Sequence, residues 1–262
     1  MATIIEEIRQ PGDSPADPFR YGWRYRQTFD ADGALIIEQL PLTVEDLLHP
    51  QDGDRVTHRA EHQRRRRYLC DIFEAQLRHD PTAVVLDDVR VAWDVPDLGA
   101  HGPDIAVILG VRERKNWSTF DVAQEGVRPA LLIEITSPET ASIDRSVKLE
   151  EYEVAGVPLY VIVDGVSRRR DTTLRILAYE LTPSGYQPVT PNERGWIWLA
   201  PVQAWIGVVD NDIVCYDRSG QALSDYRALA ERLAAETSAR SAAETRLREL
   251  EAELQRLRDG AR

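Results

Sequence analysis

The chain has 262 residues, enough for one large domain or two small ones with an ordinary hydrophobic core. Its 32 basic and 44 acidic residues give a formal net charge of −12, which argues against nucleic-acid binding through a global positive field. Two distant cysteines, Cys70 and Cys215, exclude a disulfide framework and a cysteine-rich zinc module. No long apolar run or basic signal segment is present, so we expect a cytoplasmic protein without membrane contact.

The first half of the chain predicts an arm and two helices. Residues 1–40 are interpreted as an N-terminal arm, because the first 30 residues show no sustained period. A short helix is predicted after Pro41, since Thr43 can cap the acidic turn that follows. A longer helix is predicted over roughly residues 58–77, where apolar side chains share one face at helical spacing: Leu69, Ile72, Phe73 and Leu77.

From Ala83 onward, segments rich in Val, Ile and Leu and bounded by Pro or Gly predict strands. The predicted strands cover residues 83–93, 104–109, 130–136, 159–164, 174–181, 196–199 and 213–216. A helix over about 143–154, stopped by Gly156, separates the third strand from the fourth and predicts a parallel βαβ unit. We therefore predict an α/β (mixed α+β) fold over residues 41–220, with one mixed sheet and flanking helices.

The last segment, residues 221–262, lacks proline and is rich in Ala, Leu, Glu and Arg, which predicts one long helix. Apolar residues recur at a/d heptad spacing, interrupted only at Glu236 and Arg240: Tyr226, Leu229, Leu233, Ala243, Leu247, Leu250, Leu254 and Leu257. In a parallel dimer the charges flanking this seam would attract each other. The pattern predicts a coiled coil that forms a homodimer, and a single exposed charged helix is the alternative.

Two carboxylates occur where strands normally carry apolar residues. Asp104 opens one predicted strand, and Glu134 lies near the end of another. If these strands pair antiparallel, the two side chains converge, and their mutual repulsion favours a shared Mg²⁺ ion. The alternative is that Asp104 caps a loop and Glu134 pairs with a nearby arginine.

The segments HGPDIAVIL and RPALLIEITSPETASIDRSVKLEEYEVAGVPLYVIVD resemble the signature of the Uma-two family, a branch of the PD-(D/E)XK nuclease superfamily. The resemblance covers roughly residues 40–217 and is strongest over 102–164. It implies a restriction-endonuclease-like fold and, as the activity, hydrolysis of phosphodiester bonds in DNA. It also implies a divalent ion, Mg²⁺ or Mn²⁺, held by Asp104, Glu134 and the backbone carbonyl of Ile135.

One position departs from the superfamily pattern. The lysine expected two residues after the glutamate is Thr136 here. The resemblance points to Lys148 as the substitute, with the task of orienting or deprotonating the attacking water or stabilising the phosphate. It also makes Glu61 a further candidate metal ligand, with His62 near the site. The alternative is that Lys148 forms a surface pair with Asp144.

Two other interpretations compete with a nuclease. Residues 58–62 read HxxEH, the inverted zinc-peptidase pattern, although so short a motif arises readily by chance. A binding or scaffold protein could also have kept the nuclease fold while losing catalysis with the lysine at position 136. Arginine-rich clusters occur near residues 64–67, 112–115 and 168–170; most of these side chains are interpreted as solvated surface, and for a nuclease the clusters are the places where DNA could dock.

Overall fold

The computed structural model describes residues 17–29, 33–57, 59–136, 141–168, 171–224 and 226–260. The strands are β1 (Gly22–Phe29), β2 (Leu35–Pro41), β3 (Arg55–Val56), β4 (Val84–Asp87), β5 (Arg90–Ala92), β6 (Ile105–Ile108), β7 (Thr119–Asp121), β8 (Pro129–Ile135), β9 (Leu159–Arg168), β10 (Asp171–Thr182), β11 (Gly185–Pro188), β12 (Ile197–Leu199), β13 (Ala204–Val209) and β14 (Asp212–Tyr216). The helices are α1 (Val44–Leu48), α2 (Ala60–Leu77), α3 (Val122–Glu125), α4 (Ala141–Arg145), α5 (Val147–Val154) and α6 (Tyr226–Gly260).

A six-stranded mixed sheet in the order β11-β10-β9-β8-β6-β4 forms the centre of the molecule. The β8 and β9 strands are parallel and the other pairs are antiparallel, which confirms the predicted βαβ unit. Its crossover contains two helices where the sequence predicted one. The break falls at Ser146, whose hydroxyl donates to the carbonyl of Ser142 and so competes with the helical backbone bonds.

The central strands are buried on both faces, and their alternation assigns each residue to one of two cores. Odd-numbered residues of β6, β8 and β9 pack with the apolar stripe of α2, which includes Leu69 and Phe73. Even-numbered residues pack with Tyr152 of α5. The predicted helical stripe of α2 and the Thr43 cap of α1 are both confirmed.

The prediction of a single sheet is wrong, because three smaller sheets surround the central one: β2-β1-β3, β12-β13-β14 and β5-β7. The strand predicted over residues 83–93 divides into β4 and β5, which belong to different sheets. Asp88 lies between them with a φ of 57°, a left-handed conformation that turns the chain out of the central sheet.

The interpretation of residues 1–40 as a loose arm is wrong for the described part, since β1 and β2 form an antiparallel hairpin paired with β3. Four apolar side chains on one face of this hairpin are exposed: Tyr25, Phe29, Leu35 and Ile37. Because this face is not buried in a core, the apolar pattern did not predict the two strands. Residues 1–16 lie outside the described ranges.

The C-terminal segment is helical from Tyr226 to Gly260, close to the predicted bounds. Three leucines of its predicted seam are exposed in the single chain: Leu233 (65%), Leu247 (58%) and Leu250 (42%). The coiled-coil pairing stays a prediction. Among the helices of the described ranges, none combines the length and apolar character needed to cross a bilayer.

Candidate active site

A cleft of about 900 Å³ opens where β8 ends. Its floor includes residues of β8, α4 and α5, and one side includes residues of α2 and β5. The segment from Asp17 to Trp23 and the loop from Pro50 to Thr57 line it as well. The cleft contains each residue that the sequence proposed as catalytic.

The register of the central sheet brings the two predicted carboxylates together. Ile105 of β6 faces Ile133 of β8 in an antiparallel pair, so the preceding Asp104 and the following Glu134 occupy opposed positions. This confirms the predicted antiparallel pairing of the two strands. The Ile135 backbone N–H donates to Asp104 Oδ2 at 2.7 Å, which fixes the aspartate against the end of β8.

Glu134 lies in a buried polar cluster with residues of α4 and α5. The Tyr152 hydroxyl donates to Glu134 Oε1 at 2.8 Å, and Lys148 Nζ lies 2.9 Å from the same oxygen. Lys148 Nζ is also 3.1 Å from Asp144 Oδ1. The Asp144–Lys148 pair therefore exists but is buried beside Glu134, and the alternative of a surface pair is wrong.

The cluster places two carboxyl groups and one lysine in a buried environment. Burial raises the pKa of Glu134 to about 8, because desolvation of the carboxylate outweighs the attraction of Lys148. Burial alone would lower the pKa of Lys148, but the carboxylates of Asp144 and Glu134 outweigh it and hold that pKa above its ordinary value. Lys148 is consequently a charged ammonium group.

Thr136 occupies the position where the superfamily pattern has lysine. Its hydroxyl donates to Asp164 Oδ1 at 3.3 Å and accepts a hydrogen bond from the Gly165 N–H at 3.0 Å. Asp164 is fully buried and forms an ion pair with Arg175 at 2.6 Å. Thr136 therefore joins the end of β8 to the middle of β9.

The first turns of α2 supply a histidine to the site. His62 Nε2 lies 2.7 Å from Asp104 Oδ1, and Arg66 Nη1 lies 3.9 Å from the same oxygen. Glu61 lines the cleft, but its side chain is 77% exposed and lies 3.8 Å from Arg65. The structure thus brings His62, not Glu61, into contact with the paired acids, and His58 of the HxxEH pattern lies outside the described residues.

A second polar cluster has the composition of a metal site but the wrong proton arrangement. His49, His101 and Glu151 each place a ligand atom within 4.8 Å of the others. The Trp93 indole N–H, which can only donate, bonds to His101 Nδ1 at 2.7 Å. His101 must then carry its proton on Nε2, which donates to Glu151 at 2.6 Å. To bind a cation, His101 Nε2 would have to lose this proton, and Nδ1 cannot take it up because it already accepts the Trp93 N–H. The cluster therefore does not fit a metal ion.

Sequence reasoning missed two buried members of the site and placed a third only loosely. Asp144 entered only as the partner of Lys148 in the alternative of a surface pair, and its four-residue spacing from Lys148 was the available signal. Tyr152 was noted only as part of the family pattern, and the bond to Glu134 depends on the packing of α5 against the sheet. His62 was placed near the site without a partner.

Residues 55–207 match the Uma2 family, which carries the description "Putative restriction endonuclease". The crystal structure of a "putative nuclease belonging to DUF820" from Anabaena variabilis is similar over 52% of this chain and 79% of that chain, with 16% sequence identity and a TM-score of 0.36. No curated protein matches the chain. The match covers more than half of the sequence and includes Asp104, Glu134 and Lys148, so the chain belongs to the Uma2 family.

Proposed function

We propose that the protein is a metal-dependent endonuclease that hydrolyses phosphodiester bonds in DNA. One observation carries the proposal: the buried carboxyl groups of Asp104, Glu134 and Asp144 converge at the end of β8, where Lys148 contacts Glu134 and Asp144. Buried carboxylates in excess of their cations favour a bound ion or a retained proton. Membership of a family described as restriction endonucleases supports a nuclease.

The donor set fits Mg²⁺ or Mn²⁺. Carboxylate and carbonyl oxygens are the ligands that these hard cations prefer. We assign the ion to Asp104, Glu134 and the carbonyl of Ile135. The N–H of Ile135 points to Asp104. Because the N–H and C=O of one strand residue point to the same side of the strand, the Ile135 carbonyl would also face Asp104. Such an ion would polarise the scissile phosphate and lower the pKa of a bound water.

We assign the third carboxylate, Asp144, to holding Lys148, and we leave Glu61 outside the ligand set because it pairs with Arg65. Because Lys148 is charged, we assign it to stabilising the negative charge that develops on the phosphate and not to removing a proton. His62 would keep Asp104 oriented toward the ion through its hydrogen bond.

The test is a titration with Mg²⁺ and Mn²⁺ alongside a plasmid-nicking time course. Asp104→Asn and Glu134→Gln should abolish metal binding by calorimetry and metal-dependent nicking, while circular dichroism shows an unchanged fold. Glu180→Gln is the matched control, because Glu180 is exposed on β10 and outside the cleft. Unchanged metal affinity in both site variants would remove the proposed centre.

A binding or scaffold protein with the same fold is the second candidate, favoured by the structural hydrogen bonds of Thr136 at the position of the missing lysine. Such a protein would bind DNA and leave it intact with either ion. Plasmid that stays supercoiled under saturating protein and both ions, together with measurable DNA binding, would favour this candidate.

We further propose that the protein forms a homodimer through residues 221–262. The exposed leucines of α6 lie at heptad spacing and have no apolar partner among the described residues of the chain. A dimer would hold two copies of the site, so that both strands of a duplex could be cleaved in one encounter.

A further inference from the structure

Three arginines line the cleft without an ion-pair partner among the described residues. Arg20, Arg55 and Arg90 form no ion pair with any residue that the structure describes, in contrast to Arg65 and Arg66 of α2, which pair with acids. Arg90 is half-buried, and its Nε has no hydrogen-bond partner. Arg20 and Arg55 are exposed, so the buried Nε of Arg90 is the strongest indication of a site for an external anion, and all three arginines offer that anion a charge that no described acid pairs with.

Two of these arginines lie at the three-stranded sheet β2-β1-β3: Arg55 in β3 and Arg20 in the turn before β1. Arg55 opposes Trp23 in the β1–β3 pair, and the backbone N–H of Thr57 donates to the carbonyl of Tyr21. Gly22 adopts a φ of 118°, and a Cβ there would lie 1.9 Å from the carbonyl oxygen of Arg55. Only glycine allows this approach, which fixes Arg20 and Tyr21 beside β3.

An aromatic ring accompanies the charges. The Arg20 guanidinium lies over the Tyr21 ring at 4.5 Å from its centroid, which leaves the planar groups of both side chains at the surface of the cleft. Stacked guanidinium and phenol groups are suited to a phosphate and the adjacent base of a nucleic-acid strand. Arg20 and Tyr21 precede residue 55, so this part of the cleft lies outside the segment that matches the family.

We propose that Arg20, Arg55 and Arg90 bind the phosphates of a DNA strand next to the acidic floor, and that Tyr21 stacks on a base of that strand. The proposal rests on the nuclease function proposed above. A floor of three carboxylates repels DNA, so the affinity for the backbone must come from cations elsewhere in the cleft. Arginine contacts to phosphates carry no sequence information, so binding should be independent of base sequence.

The experiment measures binding without cleavage. Fluorescein-labelled single-stranded and duplex DNA oligonucleotides are titrated with full-length protein in EDTA at several salt concentrations, and anisotropy reports the affinity. Arg20→Ala, Arg55→Ala and Arg90→Ala should each weaken binding by about tenfold and lower the slope of log K against log salt by about 1. Tyr21→Ala should weaken binding with an unchanged slope, because it removes stacking and no charge.

Arg26→Ala is the matched control, because Arg26 lies on β1 of the same sheet, pairs with Glu38 and does not line the cleft. It should bind DNA like the wild type. Site variants that bind no more weakly than this control, or a wild type that binds no oligonucleotide at low salt, would overturn the phosphate assignment. Cleavage of plasmid by the same preparations with Mg²⁺ is scored separately, so the nuclease proposal can survive that result or fail without it.

Discussion

Lys148 contacts two buried carboxyl groups, those of Glu134 and Asp144, and Asp104 adds a third just before β6, opposite Glu134. Removing one partner of a buried charged pair is strongly destabilising, whereas a bound cation would relieve the repulsion. Ion binding and stability are therefore linked at this site.

Substitution of Lys148 separates its two possible roles. Lys148→Met should lower the rate of DNA cleavage by about a hundredfold or more, because it removes the charge proposed to stabilise the reacting phosphate. Lys148→Arg should retain a substantial part of the rate, since it keeps the charge but cannot act as a base. Single-turnover cleavage with saturating Mg²⁺ measures both. An inactive Lys148→Arg enzyme with normal metal binding would favour the base instead.

The pKa of Glu134 predicts how metal affinity depends on pH. Burial raises this pKa to about 8, so below that pH the carboxyl holds a proton that a metal ion must displace. Affinity for Mg²⁺ should therefore rise by up to about tenfold per pH unit toward pH 8 and level off above it. Calorimetry in buffers of different ionisation enthalpy should detect about one released proton at pH 7 and almost none at pH 9. Equal proton release at both values would contradict the assignment.

At the scale of elements, Asp164 connects β8, β9 and β10. Its buried carboxylate accepts from the Thr136 hydroxyl and pairs with Arg175, and Arg145 of α4 lies 3.5 Å away. Position 136 can serve as this connection because its hydroxyl is short and uncharged. A lysine at position 136 would lack the hydroxyl group that donates to Asp164 and accepts from the Gly165 N–H.

Arg175→Ala should destabilise the fold by about 2 kcal/mol, because it leaves the buried Asp164 carboxylate with weaker compensation while Arg145 remains. Chemical denaturation of single and double variants measures this. Combined with Asp164→Asn, the loss should be smaller than the sum of the single losses, as expected for residues in direct contact. Additive losses would show that the pair contributes little.

At the level of the whole protein, α6 is separate from the site. By pairing two chains, this helix would bring two copies of the site together. Truncation after Gly220 removes the helix and its exposed leucines while keeping the central sheet and all site residues. The shortened protein should remain folded and become monomeric by light scattering. It should also make double-strand breaks more slowly relative to nicks, because two sites no longer meet one duplex together.

Substitutions within α6 test the same dimer without removing the helix. Leu247→Glu with Leu250→Glu should dissociate the dimer, whereas Ala242→Glu adds a negative charge at an exposed position off the seam and should not. A wild-type protein that is monomeric at micromolar concentration would leave α6 as a surface helix or a site for another protein.

Features that depend on local residue pattern can be predicted from the amino-acid sequence of this protein. Alternating or continuous apolar runs placed the strands of the central sheet, and helical spacing placed the stripe of α2. The order of strand, helix and strand fixed the parallel βαβ unit, and the antiparallel neighbour brought Asp104 opposite Glu134. These follow from residue periodicity and chain connectivity, which are both written in the sequence.

Features that depend on contacts between distant residues could not be predicted without the folded structure. The N-terminal hairpin has an exposed apolar face, so its sequence pattern does not predict that it lies beside the cleft. The partnership of His62 with Asp104 spans 42 residues, and the proton on His101 is set by Trp93. Lys148 has the same spacing from Asp144 in a surface pair or a buried one, and only the packing of α5 against β8 decides between them. Burial sets the charge of such groups, and burial is a property of the assembled fold.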